Sequence, residues 1–153
     1  MLEAWAHPTW LFFHSLAEKI NEDFLKKNTL DVLNMIKNIC VNLPCPTCSE
    51  HAKNYMKHIT PDHINSRDKI RLMFLNFHNS VNARTGKQTF SAGGLVKYRL
   101  GRFDIIYVHF ITSFTKKFNS TLLAGRFSRN SKRKQLGNNL NAWFKRYWEF
   151  FNI

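Results

Sequence analysis

Acidic side chains are scarce in this chain: 10 Asp and Glu stand against 23 Lys and Arg over 153 residues, a formal charge of +13. The deficit is uneven. Residues 1–98 hold 12 basic against 8 acidic side chains and residues 99–153 hold 11 against 2, giving +4 and +9. The last third is therefore where an acidic partner would be held. Cysteine is also sparse, and three thiols, an odd number, do not make the dense paired framework of a small secreted domain. Long apolar runs are missing: the most apolar stretch, Phe103 to Phe114, is about half a membrane span and contains Asp104 and His109. The opening Met1-Leu2-Glu3-Ala4-Trp5 has neither the basic start nor the apolar core of a secretory leader. Together these absences predict an intracellular, water-soluble protein without a signal peptide or transmembrane helix. No P-loop, no GxGxxG, no internal repeat and no β-rich stretch is present, so the usual glycine-rich phosphate cradles are excluded.

What is there is hydrophobic and aromatic. With 44% hydrophobic residues and 14 Phe, the chain can bury a genuine core without staples. Helical periodicity dominates, and the fold class is all-α. A first helix is predicted from Pro8 to about Asp23, with Trp10, His14 and Ala17 on one face. A second opens at Thr29 and carries Leu30, Leu33, Ile36, Ile39 and Cys40 on an apolar stripe ending at Pro44, so Cys40 reads as a small core residue. A third runs from Pro46 to about Ile59. A fourth opens near Ser66, buries Ile70, Met73, Phe74, Phe77 and Val81, and stops at Gly86. A further helix is expected from about Leu95 into Phe110 or beyond. Residues 116–137 read as a polar, basic linker or solvated arm, with Arg126, Arg129, Lys132, Arg133 and Lys134 close together. Leu140 to Phe151 reads as an amphipathic helix with Leu140, Trp143, Phe144, Tyr147 and Phe151 on one broad face.

The chemistry concentrates at Leu43-Pro44-Cys45-Pro46-Thr47-Cys48. If a helix begins at Pro46, both sulfurs lie in or beside its first turn, where the positive end of the helix dipole favours thiolate. Cys45, Cys48 and His51 also have the spacing of metal ligands, but no second paired module follows at finger-like spacing, so no metal is assigned. A redox dithiol explains more. A thioredoxin-like motif would follow a strand, and none is visible. A helical protein with this dithiol needs another electron acceptor, and a flavin is the obvious one. Holding it without a Rossmann loop calls for stacking rings, amides, imidazoles and a cation. Trp10, His14, His78, Asn79, Asn82, Arg84 and Lys87 supply them; three polar groups together on one core helix call for a ligand or a buried network.

Three segments then carry a resemblance. Trp10-Leu11-Phe12-Phe13-His14-Ser15-Leu16-Ala17, Pro44-Cys45-Pro46-Thr47-Cys48 and the run from Phe77 through His78, Asn79, Val81 and Asn82 to Lys87 are similar, in order and spacing, to the signature segments of the Erv/Alr FAD-linked sulfhydryl oxidases. The likeness covers about residues 8–92, and the compact form resembles those of large cytoplasmic DNA viruses, which implies a place in the cytoplasm. It implies a four-helix bundle with a short fifth helix, FAD as cofactor, and a homodimer. It also implies that Cys48 lies nearest the flavin, that Cys45 is attacked by substrate, and that Trp10, His14, His78, Asn79, Val81, Asn82 and Lys87 line the FAD. The implied activity is oxidation of a dithiol protein substrate, with molecular oxygen as final acceptor and hydrogen peroxide as product. Two departures stand out: Ala92 occupies the place of a cysteine found in many members, and no second CxxC exists to relay electrons. Direct attack on Cys45 by the partner dithiol is expected instead.

The expected organisation is an FAD-binding oxidase domain at 1–110 and a basic, aromatic extension at 111–153. That extension suits contact with a membrane surface, nucleic acid or a virion protein. A non-enzymatic helical protein working through this tail is the alternative reading.

Overall fold

The computed structural model describes residues 4–117 and 123–153, with the side chains of 123–128 outside the description. Among the described residues there are seven α-helices, α1 (Ala6–Lys19), α2 (Glu22–Lys27), α3 (Thr29–Val41), α4 (Pro46–Met56), α5 (Arg67–Arg84), α6 (Phe103–Thr115) and α7 (Leu123–Tyr147), and no strand beyond one isolated bridge, Ile20 with Phe151. The all-α expectation therefore holds. Helix α1 packs on α5 and α6, α3 packs on α4 and α7, and a 3-10 segment at Ala92–Arg99 lies against both α1 and α5. None of these helices is long and apolar enough to cross a membrane.

Local chemistry sets most of the helix ends. Ser66 accepts from Lys69 N at 3.2 Å to open α5, and Gly86, at φ 72°, turns the chain back so that Lys87 N reaches Asn82 O at 2.8 Å. Several boundaries differ from the periodicity. The first helix stops at Lys19, not Asp23, because Ile20 and Asn21 are extended. There Asn21 N donates to Phe150 O at 2.7 Å and Asn152 N donates to Lys19 O at 2.8 Å. Asn21 then caps α2 by accepting from Phe24 N at 2.9 Å. The helix expected from Leu95 divides into the 3-10 segment and α6.

The largest correction concerns the C-terminal third. The linker expected over 116–137 is helical from residue 123 onward, as part of α7; its residues 118–122 lie outside the described residues. Polarity misled here because, among the described side chains of this helix, more than half are exposed and a narrow stripe, Gly137, Leu140 and Phe144 among it, is buried. The helix continues to Tyr147 and a short 3-10 turn, Trp148–Phe150, follows. The division drawn at residue 110 falls inside α6.

The aromatic end of the chain joins the core. Phe12 stacks on Phe110 with centroids 4.2 Å apart, Phe103 on Phe151 at 5.4 Å, and Phe24 on Phe150 at 4.6 Å. Each fully buried Phe contributes about 2–3 kcal/mol. Two polar bonds fix the register: Tyr107 Oη donates to Asn141 Oδ1 at 2.6 Å, tying α6 to α7, and Trp143 Nε1 donates to Asp31 Oδ2 at 2.8 Å, tying α7 to α3.

Helices α6 and α7 meet at Gly137, where an added Cβ would lie 2.5 Å from Thr115 Cγ2. Gly137→Ala should therefore lower stability by about 1–3 kcal/mol through overpacking, although the same change in an open helix gains about 1 kcal/mol. Equilibrium denaturation measures it, and a stabilised variant would mean that the two helices do not meet there.

Candidate active site

Cys45 is the N-cap of α4 and Pro46 its first residue, as the sequence predicts, since a missing N–H costs nothing at that position. The two sulfurs form a disulfide across Cα atoms 5.2 Å apart. Cys48 N donates to Cys45 Sγ at 3.2 Å, so the free N–H groups of the helix start point at this sulfur and favour negative charge there. The preceding loop is pinned by Ser49 Oγ donating to Leu43 O at 3.2 Å. Both cysteines are half-buried. Among the described residues no group of three or more His, Cys, Asp or Glu is arranged to hold a metal ion.

The disulfide forms part of the wall of a cavity of about 560 Å³ between α1, α4 and α5. Trp10, His78, Val81, Asn82, Arg84 and Lys87 line it with Cys45 and Cys48, so residues from three distant stretches of sequence meet at one place. Trp10 and His78 stack face to face, centroids 4.0 Å apart and planes within 6°. Phe77 meets the Trp10 ring edge-on at 4.9 Å. Arg84 and Lys87 are exposed, Val81 half-buried and Asn82 buried.

Two of the expected residues do not line the cavity. His14 stands one layer behind: its Nε2 is 2.9 Å from His78 Nδ1, and its ring stacks on Tyr98 at 4.5 Å. One of these nitrogens donates and the other accepts, so the tautomers of the two rings are coupled. Asn79 is engaged with backbone: Nδ2 donates to Phe90 O at 2.8 Å, and Oδ1 accepts from Phe90 N at 3.1 Å. Its amide thus closes the turn that follows α5 and carries Lys87. Cys40 is fully buried in the core, where burial pushes its thiol pKa up.

Periodicity missed Trp5 and Tyr98, both on the cavity wall. Trp5 precedes the first helix, and its buried Nε1 has no hydrogen-bond partner among the described residues. Tyr98 comes from the 3-10 segment, a stretch with no clear pattern. Only the general affinity of aromatics for ligand walls could have flagged them.

Burial keeps this wall uncharged. It lowers the His14 pKa to about 3, helped by the positive charges of His78 and Lys97. It lowers that of His78 to about 4, helped by Lys87, Lys97 and His7. Burial also raises the pKa of Tyr98 and Tyr55. The neutral His78 imidazole, backed by neutral His14, an indole face and an amide therefore stand beside a disulfide, with Arg84 and Lys87 exposed at the rim. The arrangement suits a flat ring system with hydrogen-bonding edges.

A pH dependence follows. Since the native pKa values lie below the unfolded value of about 6.5, the unfolded chain binds these protons first and stability falls as pH drops below that value. The loss extends down to about 4 for His78 and about 3 for His14. For well-buried His14 the slope approaches about 1.4 kcal/mol per pH unit. Urea unfolding between pH 7 and pH 4 should show a shallower decline for His14→Phe than for the unaltered chain; parallel declines would mean that His14 is charged in the native state.

Comparison with known proteins fits this geometry. The model of the Erv1 / Alr family matches residues 7–101. Two relatives are the "Putative FAD-linked sulfhydryl oxidase 096R" of Invertebrate iridescent virus 3, 35% identical over 89 residues, and the "Putative FAD-linked sulfhydryl oxidase 347L" of Invertebrate iridescent virus 6, 43% identical over 58 residues. The aligned parts cover 58% and 34% of this chain, and 60% and 52% of the respective relatives. No solved structure matches. The matched span contains the disulfide and every expected cavity residue, and this chain belongs to the Erv1/Alr family.

Proposed function

We propose that the protein is an FAD-linked sulfhydryl oxidase that makes disulfides in dithiol proteins of the cytoplasm. The observation that carries this reading is the Cys45–Cys48 disulfide in the wall of a cavity built from Trp10, His78, Val81 and Asn82. The residues fit the cofactor. A volume of about 560 Å³ lies in the range of small-molecule and cofactor sites. The buried Trp5 N–H on its wall has a donor to offer. Aromatic faces and the Asn82 amide suit a ring, and Lys87 and Arg84 at the rim suit phosphates. His14 holds His78 from behind, and Asn79 sets the turn that presents Lys87.

The chain's own residues perform thiol exchange. A substrate thiolate attacks Cys45 Sγ, a mixed disulfide forms, the Cys45–Cys48 bond breaks and Cys48 departs as thiolate. A second substrate thiol loses its proton and attacks the substrate sulfur. The substrate disulfide closes and Cys45 departs as thiolate, its charge held by the Cys48 N–H. Low pKa in a leaving thiol speeds exchange. The substrate has then lost two protons and two electrons, and both protein sulfurs are reduced. Bound FAD supplies the two-electron acceptor that restores the disulfide and the outlet by which the pair reaches oxygen as hydrogen peroxide. In this reading the substrate protein attacks Cys45 directly, at the one CxxC among these 153 residues. Kinship with the family supports assembly as a homodimer, which sedimentation of the purified chain measures.

The purified protein should be yellow, with blue-region absorbance that survives gel filtration, and should consume oxygen when given a small dithiol. Cys48→Ala should retain colour and reduce dithiol-dependent oxygen uptake to background, whereas Trp10→Ala should lose colour and remain folded. A colourless protein that added FAD does not reconstitute, or unchanged turnover in Cys48→Ala, would refute the reading.

A further inference from the structure

A second cavity, of about 430 Å³ and polar throughout, is lined by Glu18, Lys19, Arg67, Arg71, Arg99 and Asn152. It shares no residue with the cavity beside the disulfide. Four separate parts of the chain build it: the end of α1, the start of α5, the end of the 3-10 segment and the C-terminal residues.

Four cations meet one carboxylate in this cleft. Glu18, with a side chain only 3% exposed, is the internal counter-ion: its Oε1 is 3.0 Å from Arg71 Nε and its Oε2 is 3.1 Å from Arg99 Nε. A single buried carboxylate is thus ion-paired with two guanidinium groups, one from α5 and one from the 3-10 segment, and accepts a hydrogen bond from the second. Outside the lining, Glu22 lies 3.6 Å from Arg67 Nε and Asp68 lies 2.9 Å from Arg71 Nη1. These two are 38% and 94% exposed, so solvent screens both.

Lys19 is the sharper observation. The residue is 8% exposed, and its Nζ donates to the backbone oxygens of Arg99 at 3.0 Å and Ile153 at 3.5 Å. No side-chain carboxylate pairs with it among the described residues. A buried ammonium without a side-chain counter-ion is costly, and an anion entering the cleft would relieve that cost. Beside it, the terminal nitrogens of Arg67 and Arg99 have no partner among the described residues.

We propose that this cleft binds a compact, multiply charged phosphate chain, two or three phosphoryl groups long, free or carried on a nucleoside. Guanidinium forks match phosphate oxygens two at a time, and an ammonium adds a point charge. The volume exceeds what one phosphate ion fills, and the four basic side chains of the lining, two of them also paired with exposed Glu22 and Asp68, offer donors to more oxygens than one phosphate presents. The basic lining disfavours cationic ligands, and Glu18 neutralises part of the charge of Arg71 and Arg99. The site is separate from the flavin cavity, so its occupancy does not depend on the oxidase reading.

The test is calorimetric titration of the FAD-saturated full chain with pyrophosphate, tripolyphosphate, ADP and sulfate at matched ionic strength. Saturable one-to-one binding of the phosphate chains is expected, at least tenfold tighter than sulfate. Arg67→Gln and Arg99→Gln should each weaken it at least tenfold while the flavin spectrum is unchanged, and Lys19→Met should abolish it. Tighter binding of ADP than of pyrophosphate would assign the ligand to nucleotides, and equal binding would assign it to the free phosphate chain. Overturning results are no heat at low salt, equal affinity for sulfate, unaltered affinity in the two arginine variants, or displacement of FAD by pyrophosphate. Because flavin absorbance is followed throughout, loss of the phosphate site and loss of the oxidase site are read separately.

Discussion

From Phe12 to Ile20, helix α1 is buried on every side, and a helix enclosed in this way needs partners built elsewhere for its polar side chains; the Ser15 hydroxyl has none among the described residues, but its three other polar side chains do. Most of the molecule's polar architecture follows from that constraint. His14 is met by His78 from α5. Glu18 is met by Arg71 from α5 and Arg99 from the 3-10 segment, and Lys19 by backbone oxygens of the 3-10 segment and the chain's last residue. One helix thereby organises the wall behind the redox cavity at its middle and a basic cleft at its end.

The opposite side of α1 explains the C-terminal third. Phe12 packs against Phe110 and Phe103 of α6 and against Phe144 of α7, so the segments after residue 102 close a face that would otherwise expose large aromatic rings. Phe144 and Phe151 are then spent in the core, and Trp143, Tyr147 and Trp148 are half-buried. What the described side chains of α7 offer outward is mostly polar or charged, including exposed Lys132, Lys134, Lys145 and Arg146. Attachment of the tail to an acidic partner would rest on those cations and not on inserted rings.

Legibility in the sequence tracked how local the controlling interaction is. Cys45 capping a helix that opens at Pro46 needs only its immediate neighbours, and the start of α5 at Ser66 needs one side chain three residues upstream of the N–H it receives. The break at Ile20 was illegible because its hydrogen-bond partners, Phe150 and Asn152, lie some 130 residues away; Asn21 followed by Glu22 and Asp23 was the available hint of a new helix start. Helix α7 was hidden by composition, since a helix touching the core along a narrow stripe looks like a solvated arm. The cavity residues were legible as chemical types, yet their arrangement was not: Asn79 has the right amide but applies it to the Phe90 backbone.

The same burial that shapes the redox cavity also divides its electrostatics. An imidazole in contact with water at pH 7 would be partly charged, and a positive His14 or His78 would lie against the aromatic wall. Removing water from both rings holds them neutral, which leaves the helix start at Cys45 as the positive field nearest the sulfurs. Full cations are displaced to the rim, at Lys87 and Arg84. An amphiphilic ligand with an apolar ring and an anionic tail is then oriented by the wall itself, ring inward beside the disulfide and anion outward. The direction of entry is thus set by where water is excluded.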